Sequence, residues 1–161
     1  KYVLKMDDDS FARVVSVDRW LNQRKNTPTY EMIANSFNVG SRPPQLGKWT
    51  DRKYTGTTSP PWAHGSGHIV SRPTIDYLMK NIGSWISYQG EDVSLGIWIH
   101  RVRNNISVVL TPEKQFIPHS GDCHNVEKFV IGHNISPQKM RACYETMDEF
   151  KHTNLSNGTH Y

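Results

Sequence analysis

The sequence predicts an α/β fold. Short apolar runs bounded by turn residues alternate with segments whose apolar positions recur at helical spacing. Gly and Pro cluster between these runs rather than inside them. The chain has 161 residues, 36% of them apolar, which suits a single core. Lys1–Met6 reads as a strand and ends at Asp7-Asp8-Asp9-Ser10. Phe11, Val14, Val15, Val17, Trp20 and Leu21 then follow a helical period, with Asp9 or Ser10 placed to cap the helix and Asn26-Thr27-Pro28 to stop it. Residues 30–39 read as a strand on Tyr30, Met32, Ile33, Phe37 and Val39. Residues 40–61 are rich in Gly, Pro, Ser and Thr and read as loop, although Lys48, Trp49 and Tyr54 argue against a plain linker.

His64–Ser71 is a glycine turn feeding a short strand, and Pro73 sits in the first turn of a helix reaching about Ile82. Asp92–Arg101 reads as a helix with Val93, Ile97 and Trp98 turned inward, and Ile106–Leu110 as a strand. Residues 112–127 read as loop, and Phe129–Ile131 as a strand ending at His133. Ser136-Pro137 is a strong helix start, followed by one face of Met140, Cys143, Met147 and Phe150. Residues 152–161 are polar and expected to fray.

Nineteen Lys and Arg against fifteen Asp and Glu give a net charge of +4, with no basic cluster, so a nucleic-acid partner is not expected. No apolar run approaches the roughly 20 residues of a membrane-spanning helix. The chain opens on Lys1-Tyr2-Val3-Leu4, which reads as mid-strand, so a longer parent protein is expected. Cys123 and Cys143 lack metal-binding spacing, and one bridge or two free thiols fit equally. Asn-x-Ser/Thr triplets at Asn105, Asn134, Asn154 and Asn157 tilt the reading toward a secretory lumen, with Pro137 disfavouring Asn134.

Asp7-Asp8-Asp9 stands where an apolar strand emerges. Adjacent carboxylates repel one another, and at the carboxyl end of a strand in an α/β sheet they face the ligand crevice. A hard divalent cation relieves that repulsion and can hold a diphosphate. Acids decorating a helix N-terminus would look the same. Glu91-Asp92 opens a second helix after Tyr88-Gln89-Gly90; it reads as a cap or as a general base for a sugar hydroxyl, an effect worth about 10²–10⁴-fold. One acidic set for a leaving diphosphate and another for the acceptor is the division an inverting glycosyl transfer needs. Gly65-Ser66-Gly67 lacks a dinucleotide or phosphate-loop pattern. It reads as a tight turn, or as backbone brought close to a sugar ring with Trp62 as the stacking wall.

Together the segments resemble the β-1,3-glycosyltransferase family of galactosyltransferases, N-acetylgalactosaminyltransferases, N-acetylglucosaminyltransferases and Fringe. The matching blocks are Lys1–Asp9, Gly47-Lys48-Trp49 with Tyr54, Pro60–Ser71, Gly90–Gly96 and Val130–Met140, in the family's order. The resemblance implies the C-terminal portion of a GT-A domain, a Rossmann-like fold with a mixed sheet. Residues 1–151 would belong to that one catalytic domain and 152–161 to a disordered tail. It further implies a UDP-sugar donor, Mn²⁺ and inversion at the anomeric carbon. It places metal ligands on Asp9, Asp7 and His133, the last in a His-x-x-Ser-Pro-x-x-Met context, and the base on Asp92 with Glu91 beside it. Asp7 and Asp8, with Trp62, Gly65 and Gly67, would line the donor and acceptor cleft.

Within the family, Gly47-Lys48-Trp49 and Tyr88–Trp98 look most like the N-acetylgalactosamine branch. The Glu91–Ser94 core also looks like the galactosyltransferases of the proteoglycan linker and of plant hydroxyproline. UDP-galactose and UDP-N-acetylgalactosamine therefore both stand as donors. The implied acceptor is a glycan on a glycoprotein, proteoglycan or glycolipid. The implied setting is protein glycosylation in the Golgi or ER lumen, by a single-pass type II membrane protein. Its anchor and uridine-binding half would lie N-terminal to this sequence, so the isolated residues are expected to be inactive. Trp62 and His68 stand where members often carry Tyr or Phe. The alternatives are a catalytically inactive, lectin-like relative that holds sugar with Trp49 and Trp62, and a retaining or hydrolytic enzyme with two carboxylates.

Overall fold

The computed structural model describes residues 1–41, 46–117 and 131–145. Among them the order is β1 (Tyr2–Lys5), β2 (Phe11–Ala12), α1 (Val14–Gln23), β3 (Glu31–Ala34), β4 (Phe37–Asn38), β5 (Trp62–Ala63), β6 (His68–Ser71), α2 (Arg72–Met79), a 3₁₀ turn (Ile82–Ser84), α3 (Glu91–Arg101), β7 (Val109–Pro112), β8 (Phe116–Ile117) and β9 (Ile131–Gly132). Residues 137–145 form a further helix, α4. The α/β class expected from the alternation of elements is the one observed.

The main sheet is mixed, in the order β1-β6-β3-β7. β6 runs antiparallel to both β1 and β3, and β3 runs parallel to β7. β3 is buried at all four positions, so its side chains divide between two cores. Met32, Ala34 and Val70 pack with Leu78 of α2 and Ile99 of α3 on one face. Ile33 and Ile69 pack with Val17 of α1, Phe116 of β8 and Ile131 of β9 on the other. Period-two alternation makes one strand the shared wall of both layers. Ile33 and Ile69 are both 0% exposed, and truncating such a residue to Ala costs about 2–5 kcal/mol.

Two short sheets complete the frame. β9 is the centre strand of β2-β9-β8, and β4 pairs with β5. α3 docks on β5 through Gly96, where a Cβ would stand 2.5 Å from Trp62 Cβ and 2.6 Å from the Pro61 carbonyl oxygen. Any larger residue at Gly96 would push α3 away from β5. A buried polar group ties the far end of the sheet. Glu31, 0% exposed, accepts hydrogen bonds from Arg24 at 2.8 and 2.5 Å, from Tyr2 at 3.0 Å and from Thr111 at 2.5 Å.

Several boundaries differ from the sequence reading. The first helix begins at Val14, with Arg13 as its N-cap residue, because Phe11-Ala12 pairs with β9 instead of joining the helix. Neither Asp9 nor Ser10 caps it; the Ser10 hydroxyl donates to the Ser66 carbonyl at 2.6 Å. The strand expected over 30–39 is two, β3 and β4. α2 ends at Met79, and a 3₁₀ turn takes up Ile82. The strand expected at 106–110 is shifted to Val109–Pro112, since Ile106 closes the last turn of α3 by donating its N–H to the Val102 carbonyl at 3.0 Å. β8 occupies part of the expected loop after Pro112. Ser136 caps α4 as read, accepting from the Lys139 N–H at 3.3 Å. Cys143 on α4 is 3% exposed and disulfide-bonded. Cys123, Phe129, Val130, Met147, Phe150, Asn154, Asn157 and the 152–161 tail lie outside the described residues.

Candidate active site

Strand pairing brings the acidic groups together. In the β1–β6 ladder Lys5 stands opposite His68, so the chain leaving β1 at Asp7 runs beside the turn entering β6 at Gly65-Ser66. In the β2–β9 ladder Phe11 stands opposite Gly132, so continuing it sets Ser10 opposite His133 and Asp9 opposite Asn134, one residue from His133. The Ile135 N–H donates to the Asp9 carbonyl at 2.9 Å and clamps that junction. His133 Nε2 lies 3.1 Å from Asp9 Oδ1 and 3.8 Å from Asp7 Oδ2. One ligand atom from each of Asp7, Asp9 and His133 falls within 4.8 Å of the other two. Two carboxylates and an imidazole form an O,O,N donor set that suits Mn²⁺ or a similar divalent ion. Neighbouring ligands about 2.1 Å from such an ion sit roughly 3.0 Å apart, close to the Asp9–His133 spacing. Asp8 is exposed, at the rim.

The second acidic pair comes from the start of α3. Gly90 is the N-cap residue, and Glu91 and Asp92 occupy the first turn, where carboxylates favour the positive end of the helix dipole. Ser94, 2% exposed, fixes this turn by donating to the Gly90 carbonyl at 2.7 Å and accepting from the Tyr88 N–H at 2.9 Å. Asp92 Oδ1 accepts from the Val93 N–H at 2.8 Å, which leaves Oδ2 to face Gly65. At Gly65 the two acidic sets meet. A Cβ there would lie 3.1 and 3.3 Å from the Asp7 oxygens and 3.4 Å from Asp92 Oδ2. Burial is the main cause of a raised Asp92 pKa; the neighbouring Glu91 charge adds to it, against the Val93 N–H, Lys5 and His64. A carboxylate held that way is a better proton acceptor than a solvated one.

Lys5 links both sets. Its ammonium donates to Asp7 Oδ1 at 2.8 Å, to the Gly65 carbonyl at 3.2 Å and to Glu91 Oε1. Burial pulls the Lys5 pKa down, but the Asp7 and Glu91 contacts outweigh it and leave it raised. For Glu91 burial pushes upward, and the bond from Lys5 outweighs that and lowers the pKa. Sequence reasoning gave Lys5 no role in the site; its signal was its place at the end of β1, two residues before Asp7.

Asp7, Asp9, His133, Glu91 and Asp92 line a cavity of about 660 Å³ that also takes in Trp49, Tyr54, Trp62 and His64. Asp51 and Tyr54 seat the 46–61 loop on its rim. Asp51 accepts from the Gln89 N–H, and Tyr54 meets Tyr88 edge-on at 5.7 Å. Trp49 is 57% exposed and carries the Lys48 ammonium 4.5 Å above its ring. Trp62 and Gly65 line the cavity; Gly67 does not, because a Cβ there would meet Ile131 Cγ2 at 2.7 Å, in the core. The site thus joins Asp7, Asp9, His133, Glu91, Asp92, Trp62 and Gly65, with Asp8 at its edge and Gly67 behind it.

Residues 1–109 match the family model described as Galactosyltransferase. The chain is 38% identical over 100 residues to the UDP-GalNAc:beta-1,3-N-acetylgalactosaminyltransferase 2 of Danio rerio, covering 62% of this chain and 20% of that protein. It is 34% identical over 97 residues to the Homo sapiens protein of the same name, covering 60% of this chain and 19% of that one. It is 32% identical over 162 residues to the Beta-1,3-galactosyltransferase GALT1 of Arabidopsis thaliana, covering 94% of this chain and 24% of that protein. The chain therefore spans about a fifth to a quarter of the length of these relatives.

Proposed function

The chain belongs to the galactosyltransferase family, and from that premise we propose that its cavity is the reaction centre of an inverting, metal-dependent β-1,3-glycosyltransferase. The donor is UDP-galactose or UDP-N-acetylgalactosamine, and the acceptor is a hydroxyl of a protein-linked or lipid-linked glycan. The observation that carries this reading is the convergence of Asp7 and Asp92 on Gly65. Asp7, Asp9 and His133 line the same cavity as Asp92, whose pKa burial raises.

Asp92 Oδ2 takes the proton of the acceptor hydroxyl, whose oxygen attacks the anomeric carbon. The bond from that carbon to the diphosphate breaks, and its electron pair stays on the phosphate oxygen. Glu91 is occupied by Lys5, so the two neighbouring carboxylates divide the work: Glu91 braces β1 against α3, and Asp92 moves the proton. Trp62 and Gly65 let a sugar ring approach the backbone. Asp7, Asp9 and His133 would hold Mn²⁺, which when bound supplies positive charge for a diphosphate.

The mixed sheet with the acidic turn at the carboxyl end of β1 supports a GT-A domain, of which residues 1–151 are the C-terminal part. The disulfide at Cys143 and the exposed Asn105 side chain of its triplet support a secretory lumen, where thiols oxidise and Asn is glycosylated. That compartment, the Golgi or ER of a type II membrane protein, is part of the same proposal. The full-length protein carrying Asp92→Asn should bind UDP like wild type and lose transfer by about 10²-fold or more. Unchanged transfer would remove Asp92 as the base. A wild-type protein that binds sugar yet neither transfers nor hydrolyses the donor with Mn²⁺ would leave the lectin-like alternative.

A further inference from the structure

We infer that Asn105 carries an N-linked oligosaccharide and that Asn134 does not, an assignment that rests on the luminal reading above. That reading has a support independent of the triplets, the disulfide at Cys143, which forms where thiols oxidise. An N-linked oligosaccharide is bulky, so the asparagine that bears it must end on open surface. Two of the Asn-x-Ser/Thr triplets fall within the described residues, and the fold treats them differently.

Asn105 stands in the turn after α3. Its backbone N–H donates to the Val102 carbonyl at 2.8 Å, and the Ile106 N–H donates to the same carbonyl at 3.0 Å, so main-chain bonds hold the turn. Ile106 is 7% exposed and anchors the triplet, while Asn105 and Ser107 on either side of it are exposed. Neither the Asn105 carboxamide nor the Ser107 hydroxyl has a hydrogen-bond partner among the described residues. The two groups that define the triplet are therefore both free of the fold. α3 has 11 residues and spans about 16 Å, with Glu91 and Asp92 at its first turn in the cavity. Asn105 lies beyond the opposite end, so a glycan there leaves the cavity open.

Asn134 is placed otherwise. It follows His133 directly and has a left-handed backbone, with φ of 59°. Ile135 is 1% exposed, and its N–H donates to the Asp9 carbonyl at 2.9 Å. The Ser136 hydroxyl accepts from the Lys139 N–H as the cap of α4, and Pro137 follows. The hydroxyl of this triplet is engaged, and a glycan on Asn134 would crowd the side of the site built from Asp9 and His133.

The co-reactant is an oligosaccharide carried on a lipid diphosphate. Asn105 Nδ2 bonds to its anomeric carbon, and the bond from that carbon to the diphosphate oxygen breaks. The electron pair leaves with the lipid diphosphate, and the amide proton passes to a base of the transferring enzyme.

The test uses the full-length protein made in a eukaryotic secretory pathway. Peptide N-glycosidase in heavy-oxygen water converts each glycosylated Asn into labelled Asp, and mass spectrometry locates the label. Trypsin cuts after Arg103 and Lys114, so the 104–114 peptide contains Asn105 as its one triplet asparagine. Label is expected at Asn105 in the wild type and in Ser107→Thr, and none at Asn134. Ser107→Ala should lose the label although Asn105 is intact, and Asn105→Gln should run faster on a gel by one glycan while keeping wild-type kcat. An unlabelled Asn105, a labelled Asn134 or label surviving in Ser107→Ala would overturn the inference. The redox state of Cys143 in the same sample separates the two failures: with a free thiol the luminal reading falls as well, and with the bridge intact only the assignment of Asn105 falls.

Discussion

Replacing Gly65 with alanine inserts a methyl group between the two carboxylates on which the proposed chemistry depends. The new carbon would lie 3.1 and 3.3 Å from the Asp7 oxygens and 3.4 Å from Asp92 Oδ2. The first two distances are inside comfortable van der Waals contact, so Asp7 must give way by a few tenths of an ångström. It is not free to do so cheaply, since Lys5 holds its Oδ1 at 2.8 Å. Asp92 is held too, by the Val93 N–H at 2.8 Å. Crowding of this kind costs about 1–3 kcal/mol. Here the strain falls on the catalytic groups, because the methyl points at them rather than into the core. Misplacing reacting groups by about 1 Å costs on the order of 10²-fold, so a smaller shift predicts a kcat roughly 10-fold lower or more. The assay is transfer and donor hydrolysis by the full-length Gly65→Ala protein, with its thermal unfolding recorded beside it. Gly67→Ala is the control. Its methyl would meet Ile131 Cγ2 at 2.7 Å, which predicts a lower melting temperature and little change in kcat per folded molecule. Wild-type kcat in Gly65→Ala would refute the assignment of the space above Gly65 to the reaction.

Arg24→Leu leaves the fully buried Glu31 carboxylate without its main partner and should destabilise by about 3–5 kcal/mol in urea unfolding; a loss under about 1 kcal/mol would show that Tyr2 and Thr111 suffice. Burial alone would raise the Glu31 pKa, but the bonds from Arg24, Thr111 and Tyr2 hold it below the usual carboxylate value. A lowered folded pKa means its stabilisation is complete above the carboxylate range and is lost as pH falls through it, a slope that Glu31→Gln should flatten. His68 opens a separate window: burial, then the Lys5 charge, lowers its pKa from 6.5 to about 4. The unfolded chain then binds the extra proton, so stability should be lost as pH drops from 6.5 to about 4 and hold above 6.5; an unchanged slope in His68→Gln would assign that dependence elsewhere. Trp49→Ala at the cavity mouth should raise acceptor KM by roughly 10-fold, more than it raises donor KM, as expected for one lost aromatic contact of about 1.5 kcal/mol.

Much of the site was legible because its residues announce themselves locally. An apolar strand ending in three aspartates, a glycine followed by Glu91-Asp92 at a helix start and a Ser136-Pro137 cap are each contained in a few neighbouring residues. The β2 segment was misread for the same reason. Phe11 falls on the helical period of Val14 and Val17, yet it pairs with β9, and Val14 and Val15 are left 63% and 64% exposed at the start of α1. Periodicity records which residues are apolar, not which partner competes for their backbone hydrogen bonds.

The amino-acid sequence by itself determined the α/β class, the places where acids leave the apolar elements, and the helix start at Ser136-Pro137, because side-chain volume, charge and backbone preference act over one or two turns. Only the tertiary structure decided that Lys5 bridges to Glu91, 86 residues away, that Asp7 and Asp92 share the space above Gly65, and that His64 stands beside His133. Those relations follow from the β1–β6 and β2–β9 registers and from the close seating of α3 on β5 at Gly96. The physical reason is that a strand carries its own charge pattern, whereas the distance between two charges depends on the long-range pairing that brings their elements together.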